Sequence, residues 1–340
     1  MDSAEMEKLQ AEVKQAGSFI APLKTEIGKV LVGQGALVDG LLIGLITNGH
    51  VLVEGVPGLA KTLAIRTVAR AIGGDFARLQ FTPDLLPADL VGTTIYNPRE
   101  HTFSVKRGPI FANIILADEI NRAPAKVQSA LLEAMQEHQV TLGGETHSLP
   151  SPFLVMATQN PIEQEGTYAL PEAQVDRFML KVVVSYPTRE EEQRIMHRMA
   201  HPDIDLDVAR VASLDDILQA RNWVDKVYMD PKVAEYILDI VCATRTDGSR
   251  ELSDRQAEAD LSVVDGLVDY GASPRATLAL ALTAKARAMM DGRAYVVPQD
   301  VKDAAHDVLR HRVIPSYEAE AENLTSDHVV QRLLDELRTP

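Results

Sequence analysis

Apolar residues spaced three and four positions apart predict helices near the amino terminus of the chain. This spacing runs through residues 20–30, within a helical stretch that covers roughly the first thirty residues. Val32-Gly33-Gln34 interrupts the pattern. A shorter apolar helix covers residues 37–46 and ends at Asn48-Gly49, because these residues readily take the left-handed conformation that closes helices.

Unbroken apolar runs, in contrast, predict buried strands. We expect four buried strands at residues 50–54, 114–117, 153–157 and 179–184; the runs at 114–117 and 153–157 are unbroken, and the other two are mostly apolar. A helical pattern over residues 61–72, closed by Gly73-Gly74, follows the first of them. Strands that alternate with helices in this way predict an α/β fold with a central parallel sheet flanked by helices.

Two further segments predict β-hairpins. Residues 79–110 are rich in proline and glycine and contain two alternating runs, 93–96 and 102–105. A turn at residues 97–100 joins the runs, so we expect a hairpin inserted into the α/β pattern. Residues 139–149 place Gly143-Gly144 between two short runs and predict the second hairpin.

The pattern changes after Tyr186-Pro187. Residues 188–340 are charged, helix-periodic and poor in strand patterns. We therefore expect two domains, an α/β core of residues 1–187 and an all-helical domain of residues 188–340. A chain of 340 residues is long enough for each to bury a core of its own.

Composition narrows the class of protein. With 46% hydrophobic and 24% charged residues, the chain has the composition of an ordinary globular protein. Its formal charge of −15 disfavours a broad nucleic-acid surface, although it leaves room for a local basic loop. The single cysteine, Cys242, excludes an internal disulfide framework. The sequence shows neither a signal peptide nor an apolar stretch long enough to span a bilayer, and we expect a cytoplasmic protein.

A glycine-rich turn connects the strand at residues 50–54 to the helix at residues 61–72. Such a turn aims backbone N–H groups at phosphate oxygens, Lys61 reaches the outer phosphates, and the Thr62 hydroxyl can ligate Mg²⁺. Ala60 stands where a glycine is usual, and we expect it to keep a negative φ, which a methyl group tolerates. The predicted nucleotide-binding residues are Gly33, Gln34, Gly55, Val56, Pro57, Gly58, Leu59, Ala60, Lys61, Thr62 and Leu63.

Two carboxylates, Asp118 and Glu119, follow the buried strand at residues 114–117. Ligands of α/β folds bind at the carboxyl ends of parallel strands. We expect Asp118 to hold Mg²⁺, mostly through water and together with Thr62, and Glu119 to take a proton from the attacking water. Acids also favour a helix amino terminus through its dipole, but this explains one acid and not two beside a phosphate-binding turn.

Three more polar residues are candidates for catalysis. Asn160 follows the next buried strand and can orient water or touch the γ-phosphate, or it is a turn residue before Pro161. Arg177 is the candidate arginine finger, with a surface ion pair as an equally weighted alternative. Arg275 begins a helix in the second domain, where its charge opposes the helix dipole, so either a ligand or packing of its aliphatic stem explains it.

The motifs together resemble those of the MoxR family of AAA+ ATPases over nearly the whole chain. The resemblance rests on five segments: Gly55–Thr62, Leu116–Pro124, Ala157–Pro161, Leu170–Phe178 and Gly271–Arg275. Alanine at position 60 is ordinary in this family. The resemblance implies Walker A at residues 55–62, Walker B at Asp118-Glu119, sensor 1 at Asn160, the arginine finger at Arg177 and sensor 2 at Arg275.

The resemblance also implies a biological role and an assembly. Members of this family hydrolyse ATP with Mg²⁺, carry a helix-2 insert and a pre-sensor-1 hairpin, and end in an all-helical lid. They form ring hexamers and remodel protein clients in a chaperone-like way, often with a partner that carries a von Willebrand factor A domain. Metal or cofactor insertion and the maturation of protein complexes are roles associated with them.

Three other functions stay open at this point. Replicative helicases of the same AAA+ branch share both hairpins, but the charge of −15 and the absence of Lys and Arg from residues 139–148 count against a nucleic-acid motor. A chelatase-type motor subunit is similar in sequence pattern. A nucleotide-gated scaffold without hydrolysis is disfavoured, because Glu119 and Arg177 are both present.

Overall fold

The computed structural model describes residues 3–161, 167–201, 203–204, 206–246 and 248–340. Its helices are α1 (Ser3–Ala16), α2 (Ile20–Val30), α3 (Gly35–Thr47), α4 (Lys61–Ile72), α5 (Pro87–Val91), α6 (Ala125–Glu137), α7 (Glu172–Val175), α8 (Arg189–Met199), α9 (Leu214–Val224), α10 (Pro231–Ala243), α11 (Pro274–Met290), α12 (Pro298–Leu309), α13 (Tyr317–Ala321) and α14 (Ser326–Glu336). Its strands are β1 (Val51–Glu54), β2 (Phe76–Gln80), β3 (Gly92–Asn97), β4 (Thr102–Arg107), β5 (Ile114–Asp118), β6 (Gln139–Leu142), β7 (Glu145–Ser148), β8 (Leu154–Gln159), β9 (Leu180–Val183), β10 (Val268–Tyr270) and β11 (Ile314–Pro315).

A five-stranded sheet of order β2-β5-β8-β1-β9 lies at the centre of the fold. Strands β2 and β5, β5 and β8, and β8 and β1 pair in parallel. The register sets Gln80 opposite Asp118 and Glu54 opposite Gln159. The carboxyl ends of four strands therefore meet at one edge of the sheet, and the predicted α/β fold with a central parallel sheet is confirmed.

The unbroken apolar runs explain which strands are central. Residues Ile114–Ala117 of β5 and Leu154–Ala157 of β8 are fully buried, since helices cover both faces of a parallel sheet. Helix α6 contributes Val127, Leu131 and Met135 to the apolar core on one side. Burying each such side chain stabilises the fold by about 1.5–3 kcal/mol, so this core holds the strand ends of the candidate site in place.

Both predicted hairpins are present: β3 pairs with β4 and β6 with β7, each antiparallel. The boundary of the first insert at residue 79 is wrong, however, because Leu79 and Gln80 belong to β2. Strand β2 lies at the sheet edge, and Leu79 is the one buried residue among its five, so it has no unbroken apolar run. The short helix α5 within the insert is also absent from the prediction.

The described residues divide into two compact units. One comprises Phe19–Phe178 and Val182–Leu218, and the other comprises the described part of Met1–Ser18 with Met179–Lys181 and Gln219–Pro340. This partition differs from the expected division between residues 187 and 188. The single amino-terminal helix of the prediction is likewise two helices, α1 and α2, which belong to different units.

Hydrogen bonds account for the shifted boundary. The Arg198 guanidinium of α8 donates to the carbonyl oxygens of Gly28 and Lys29 at 2.9 and 2.6 Å. The backbone N–H of Ala209 donates to the Glu26 carboxylate at 2.9 Å, and that of Val211 donates to the Ala71 carbonyl, also at 2.9 Å. Residues 188–218 therefore pack with the sheet-containing unit.

The second unit is built chiefly from α10, α11, α12 and α14, which pack on one another. Strands β10 and β11 form a short antiparallel pair within this otherwise helical unit, an addition that the sequence analysis did not predict. Gln10 of α1 belongs to this unit and accepts the N–H of Ala294 at 2.9 Å. Within the described parts of the chain, no helix combines the length and the apolarity needed to cross a membrane.

Candidate functional site

The turn between β1 and α4 forms one wall of a pocket of about 440 Å³. Gly58 has a φ of +88°, which favours glycine. A Cβ on Gly55 would lie 2.9 Å from the Val184 carbonyl oxygen, so the strand has no room for a side chain there. The pocket is lined by Pro57, Gly58, Leu59, Ala60, Lys61, Thr62, Leu63, Arg78, Gln80, Asp118, Glu119, Thr158 and Asn160.

The expectation that Ala60 keeps a negative φ is wrong. Ala60 is the residue before α4 and has φ +57° and ψ +21°, the left-handed region. The turn must reverse direction here so that the first N–H groups of α4 face the pocket. An L-residue pays about 1–2 kcal/mol for this conformation, and the rest of the turn offsets that cost.

Lys61 begins α4 and reaches back over the turn. Its ammonium group donates to the Gly55 carbonyl oxygen at 2.5 Å. Burial lowers the pKa of Lys61, while the negative charges of Asp118 and Glu119 act in the opposite direction. The ammonium group is thus partly desolvated beside two carboxylates, which strengthens its attraction for an anion that enters the pocket.

Asp118 is held by two neighbouring strands. Its Oδ1 accepts the hydroxyl of Thr158 in β8 at 2.7 Å, and its Oδ2 accepts from Arg78 in β2 at 2.7 Å. Thr158 is only 1% exposed, so its hydroxyl is a fixed donor. The sequence analysis missed Thr158 and Arg78. The parallel register brings them to Asp118, and no local pattern shows this.

Glu119 directly follows β5, and its backbone has the left-handed conformation, with φ +57° and ψ +51°. Its backbone N–H donates to the Thr158 hydroxyl oxygen at 2.9 Å. Its Oε2 accepts from Gln80 at 2.9 Å and from Arg122 at 3.0 Å. Gln80 and Arg122 were also missed, although Arg122 lies at the i+3 spacing that a pairing partner would have.

Asn160 comes directly after β8, is 7% exposed and lines the same pocket. The structure thus brings ten predicted site residues to one pocket at the carboxyl ends of β1, β5 and β8. They are Pro57, Gly58, Leu59, Ala60, Lys61, Thr62, Leu63, Asp118, Glu119 and Asn160.

A second, more apolar pocket of about 240 Å³ adjoins the first and shares Gly58, Leu59, Ala60 and Leu63 with it. Gln34 lines this pocket, and Gly33, the residue before Gln34, has a φ of +68°. Ile195 and Met199 of α8 complete the wall. The sequence analysis missed them because it assigned α8 to the other domain.

Two predicted residues lie elsewhere. Arg177 Nη1 donates to the Leu132 carbonyl oxygen of α6 at 3.1 Å, and Arg177 is not among the described residues that line either pocket. Arg275 belongs to the second unit, where its backbone N–H donates to the Ser273 hydroxyl oxygen at the start of α11. Its side chain is exposed.

The donor set of the larger pocket suits Mg²⁺. Asp118 offers a carboxylate and Thr62 a hydroxyl, both hard oxygen ligands. Among the residues that the structure describes, no three His, Cys, Asp or Glu side chains cluster as a metal cage. Mg²⁺ in nucleotide sites needs no such cage, since phosphates and waters supply most of its ligands.

Comparisons with known proteins agree with this geometry. Residues 50–180 match the model of the ATPase family associated with various cellular activities (AAA), and residues 261–333 match that of the AAA lid domain. Chaperone MoxR1 of Mycobacterium tuberculosis is 47% identical over 93% of this chain and 81% of its own length. YeaC of Bacillus subtilis is 42% identical over 92% of each chain. Protein MoxR of Methylorubrum extorquens is 30% identical over 90% of this chain and 91% of its own.

The structural likeness extends over the whole chain. A crystal structure of a protein from Cytophaga hutchinsonii superposes with a TM-score of 0.89 at 47% sequence identity. The match covers 99% of both chains.

Proposed function

The chain belongs to the MoxR family of AAA+ ATPases, and on this premise we propose that it binds ATP with Mg²⁺ and hydrolyses it to ADP and phosphate. The observation that carries the proposal is the meeting of Lys61, Asp118, Glu119 and Asn160 around one pocket. The adjoining apolar pocket fits the base of a nucleotide whose phosphates lie in the larger one.

The β1–α4 turn and Lys61 would bind the phosphates. The first N–H groups of α4 point at the pocket and carry the positive end of the helix dipole. The Lys61 ammonium, which now donates to the Gly55 carbonyl oxygen, exchanges that contact for phosphate oxygens. Thr62 and Asp118 would hold the metal, and Mg²⁺ supplies charge neutralisation for the transferring phosphoryl group when it is bound.

Glu119 would act as the general base. Gln80 and Arg122 both bind its Oε2, so they orient the carboxylate and are positioning residues. A carboxylate in this place accepts a proton from a water held in line with the phosphate. Asn160, buried at the end of β8, would orient that water through its side-chain amide.

We expect the arginine finger to come from a neighbouring protomer. Arg177 lies outside the described walls of its own pocket, which supports a role at the site of another copy. A closed ring would bring each Arg177 to the next nucleotide, and we propose a hexamer. Arg275 would be the sensor-2 residue that responds to a bound nucleotide, its own or that of a neighbour.

The first test is phosphate release by the purified protein with ATP and Mg²⁺. We expect turnover, with a specific activity that falls as the protein is diluted, because each site needs a neighbour. The drop should parallel the loss of the oligomer in light scattering or sedimentation at the same concentrations. Absence of phosphate release at every protein concentration would contradict ATP hydrolysis, and concentration-independent turnover by a monomer would contradict the ring.

A mixing experiment tests the finger directly. Arg177→Ala and Glu119→Gln should each be nearly inactive alone. Random mixed rings should recover about a quarter of wild-type turnover, since half the sites keep Glu119 and half of those face an intact Arg177. Mixing Arg177→Ala with Arg177→Ala,Glu119→Gln is the matched control and should recover nothing. Full inactivity of the first mixture would place Arg177 at its own site, whereas full activity of Arg177→Ala alone would place it outside catalysis.

We further propose that hydrolysis drives chaperone-like remodelling of protein complexes. One relative is named a chaperone, and the β3–β4 hairpin exposes large apolar side chains that suit a protein client. Tyr96 is 46% and Phe103 73% exposed there. A protein with a von Willebrand factor A domain is the proposed partner, and metal or cofactor insertion is the proposed setting. Co-purification with that partner, and stimulation of phosphate release by it, would test this part.

A further inference from the structure

Arg78 and Asp118 form an ion pair inside the pocket, and the roles proposed above do not use it. Arg78 Nη2 and Nε lie 2.7 and 3.2 Å from Asp118 Oδ2. The other carboxylate oxygen, Oδ1, accepts the Thr158 hydroxyl at 2.7 Å. Both oxygens of the carboxylate that suits Mg²⁺ thus have hydrogen-bond donors already, and the donor on Oδ2 carries a full positive charge.

The two partners differ in how firmly they are held. The Asp118 side chain is 15% exposed at the end of a buried strand, whereas the Arg78 side chain is 50% exposed. Arg78 lies on β2, the edge strand of the sheet, and its long side chain has solvent to turn into. The carboxylate is therefore the fixed member of the pair, and the guanidinium is the one that can leave.

The ion pair between Arg78 and Asp118 has an electrostatic function. A mostly buried carboxylate without a cation is costly. Arg78 is the cation that hydrogen-bonds to Asp118, whereas the Lys61 ammonium donates to the Gly55 carbonyl oxygen and acts on Asp118 through space. A divalent metal that approaches Oδ2 meets a guanidinium of the same sign, so the two compete for one oxygen. We propose that Arg78 is the counter-ion of Asp118 in the metal-free protein and gives up Oδ2 to Mg²⁺, so that it sets the metal concentration the site requires. This inference rests on the proposed ATP and Mg²⁺ site.

Replacement of Arg78 by Mg²⁺ at Asp118 also affects the second carboxylate, that of Glu119. Arg78 and Gln80 alternate with the buried Leu79 and therefore share one face of β2. Arg78 Nη2 donates to Gln80 Oε1 at 3.0 Å, and Gln80 Nε2 donates to Glu119 Oε2 at 2.9 Å. A continuous chain of contacts thus joins Asp118 to Glu119. Departure of Arg78 removes one of the contacts that hold Gln80, and through it loosens the grip on Glu119.

The test is the binding of a fluorescent N-methylanthraniloyl ADP to the full-length protein, titrated with Mg²⁺ and repeated with Mn²⁺ detected by electron paramagnetic resonance. Arg78→Met keeps the length of the side chain and removes its charge. We expect the metal concentration at half-saturation to fall about tenfold. This factor corresponds to the free energy of one charge-assisted hydrogen bond at a half-exposed site. Arg78→Lys keeps the charge without the paired donors and should give a fall of about two- to threefold.

Arg70→Met is the matched control. Arg70 also pairs with an aspartate, Asp207, at 2.8 Å and is 41% exposed, but it lies outside the described walls of the nucleotide pocket. The metal concentration at half-saturation of the Arg70→Met variant should equal that of the wild type. An unchanged or higher metal requirement in Arg78→Met, or in Arg78→Lys if Arg78→Met does not fold, would overturn the inference and leave the proposed function intact. Failure of the wild type to bind the nucleotide with either metal would overturn both.

Discussion

Replacing Lys61 by Met is expected to remove most of the affinity for ATP and ADP. The ammonium group is half-buried and has carboxylates and the phosphate-binding turn around it. Its charge-assisted hydrogen bonds to phosphate are worth about 1.5–3 kcal/mol each, so two of them account for a loss of about 100-fold or more. Isothermal titration calorimetry with ADP and Mg²⁺ measures the loss.

Lys24→Met is the control for removing a lysine from the same unit. Lys24 forms an ion pair with Asp39 at 2.6 Å and takes no part in the described walls of the pocket. Its variant should bind nucleotide as the wild type does, with unchanged thermal stability to within a few degrees. If Lys61→Met retained full affinity, the β1–α4 turn would not be the phosphate site, and the proposed function would be wrong.

The second large effect is expected for Glu119→Gln. Glutamine has the shape of glutamate and keeps an oxygen that can accept from Gln80 and Arg122, but it is a far poorer acceptor for the proton of water. Nucleotide affinity should stay within a few-fold of wild type, while the hydrolysis step slows by about 10²–10⁴. Single-turnover phosphate release, with ATP binding measured in parallel, separates the two quantities.

Glu133→Gln serves as the control here. Glu133 is exposed on α6, and its variant loses the same charge at a distance from the described pocket walls. It should turn over at the wild-type rate. Wild-type turnover by Glu119→Gln would remove Glu119 from the chemistry and assign the base to another group.

Several elements could be predicted from local patterns because their causes are local. The helix at residues 61–72 has the same bounds as α4, since an amphipathic repeat fills it and glycines end it. The unbroken apolar runs identified β5 and β8, because only a strand covered on both faces is apolar throughout. The placement of acids after such a strand then located Asp118 and Glu119 at the edge where ligands bind.

Other elements needed the tertiary structure. Strand β2 has only five residues, of which Leu79 alone is buried, so its pattern is too weak to separate from the hairpin insert that follows. Because β2 was absent from the prediction, the sequence analysis missed Arg78, which contacts Asp118, and Gln80, which contacts Glu119. The left-handed backbone of Ala60 was missed for a related reason, since the path of the turn imposes it and alanine alone disfavours it.

For helix α8, the local sequence predicts a helix, but the tertiary structure decides to which unit the helix belongs. The pattern over residues 188–340 predicts helices and α8 is one of them, but its contacts with residues distant in sequence, such as the hydrogen bonds from Arg198 to Gly28 and Lys29, place it in the sheet-containing unit. Ile195 and Met199 consequently line the pocket beside the phosphate-binding turn.

The sequence by itself determined most elements of the α/β core, the family and the residue types that meet a triphosphate, because periodicity and short motifs are properties of neighbouring residues. Tertiary structure decided which partners surround each of those residues. Strand register and helix packing bring together side chains far apart in the chain, as when Thr158, Arg78 and Asp118 meet within hydrogen-bonding distance. Those contacts set the charge and orientation of the carboxylates, and no local pattern encodes them.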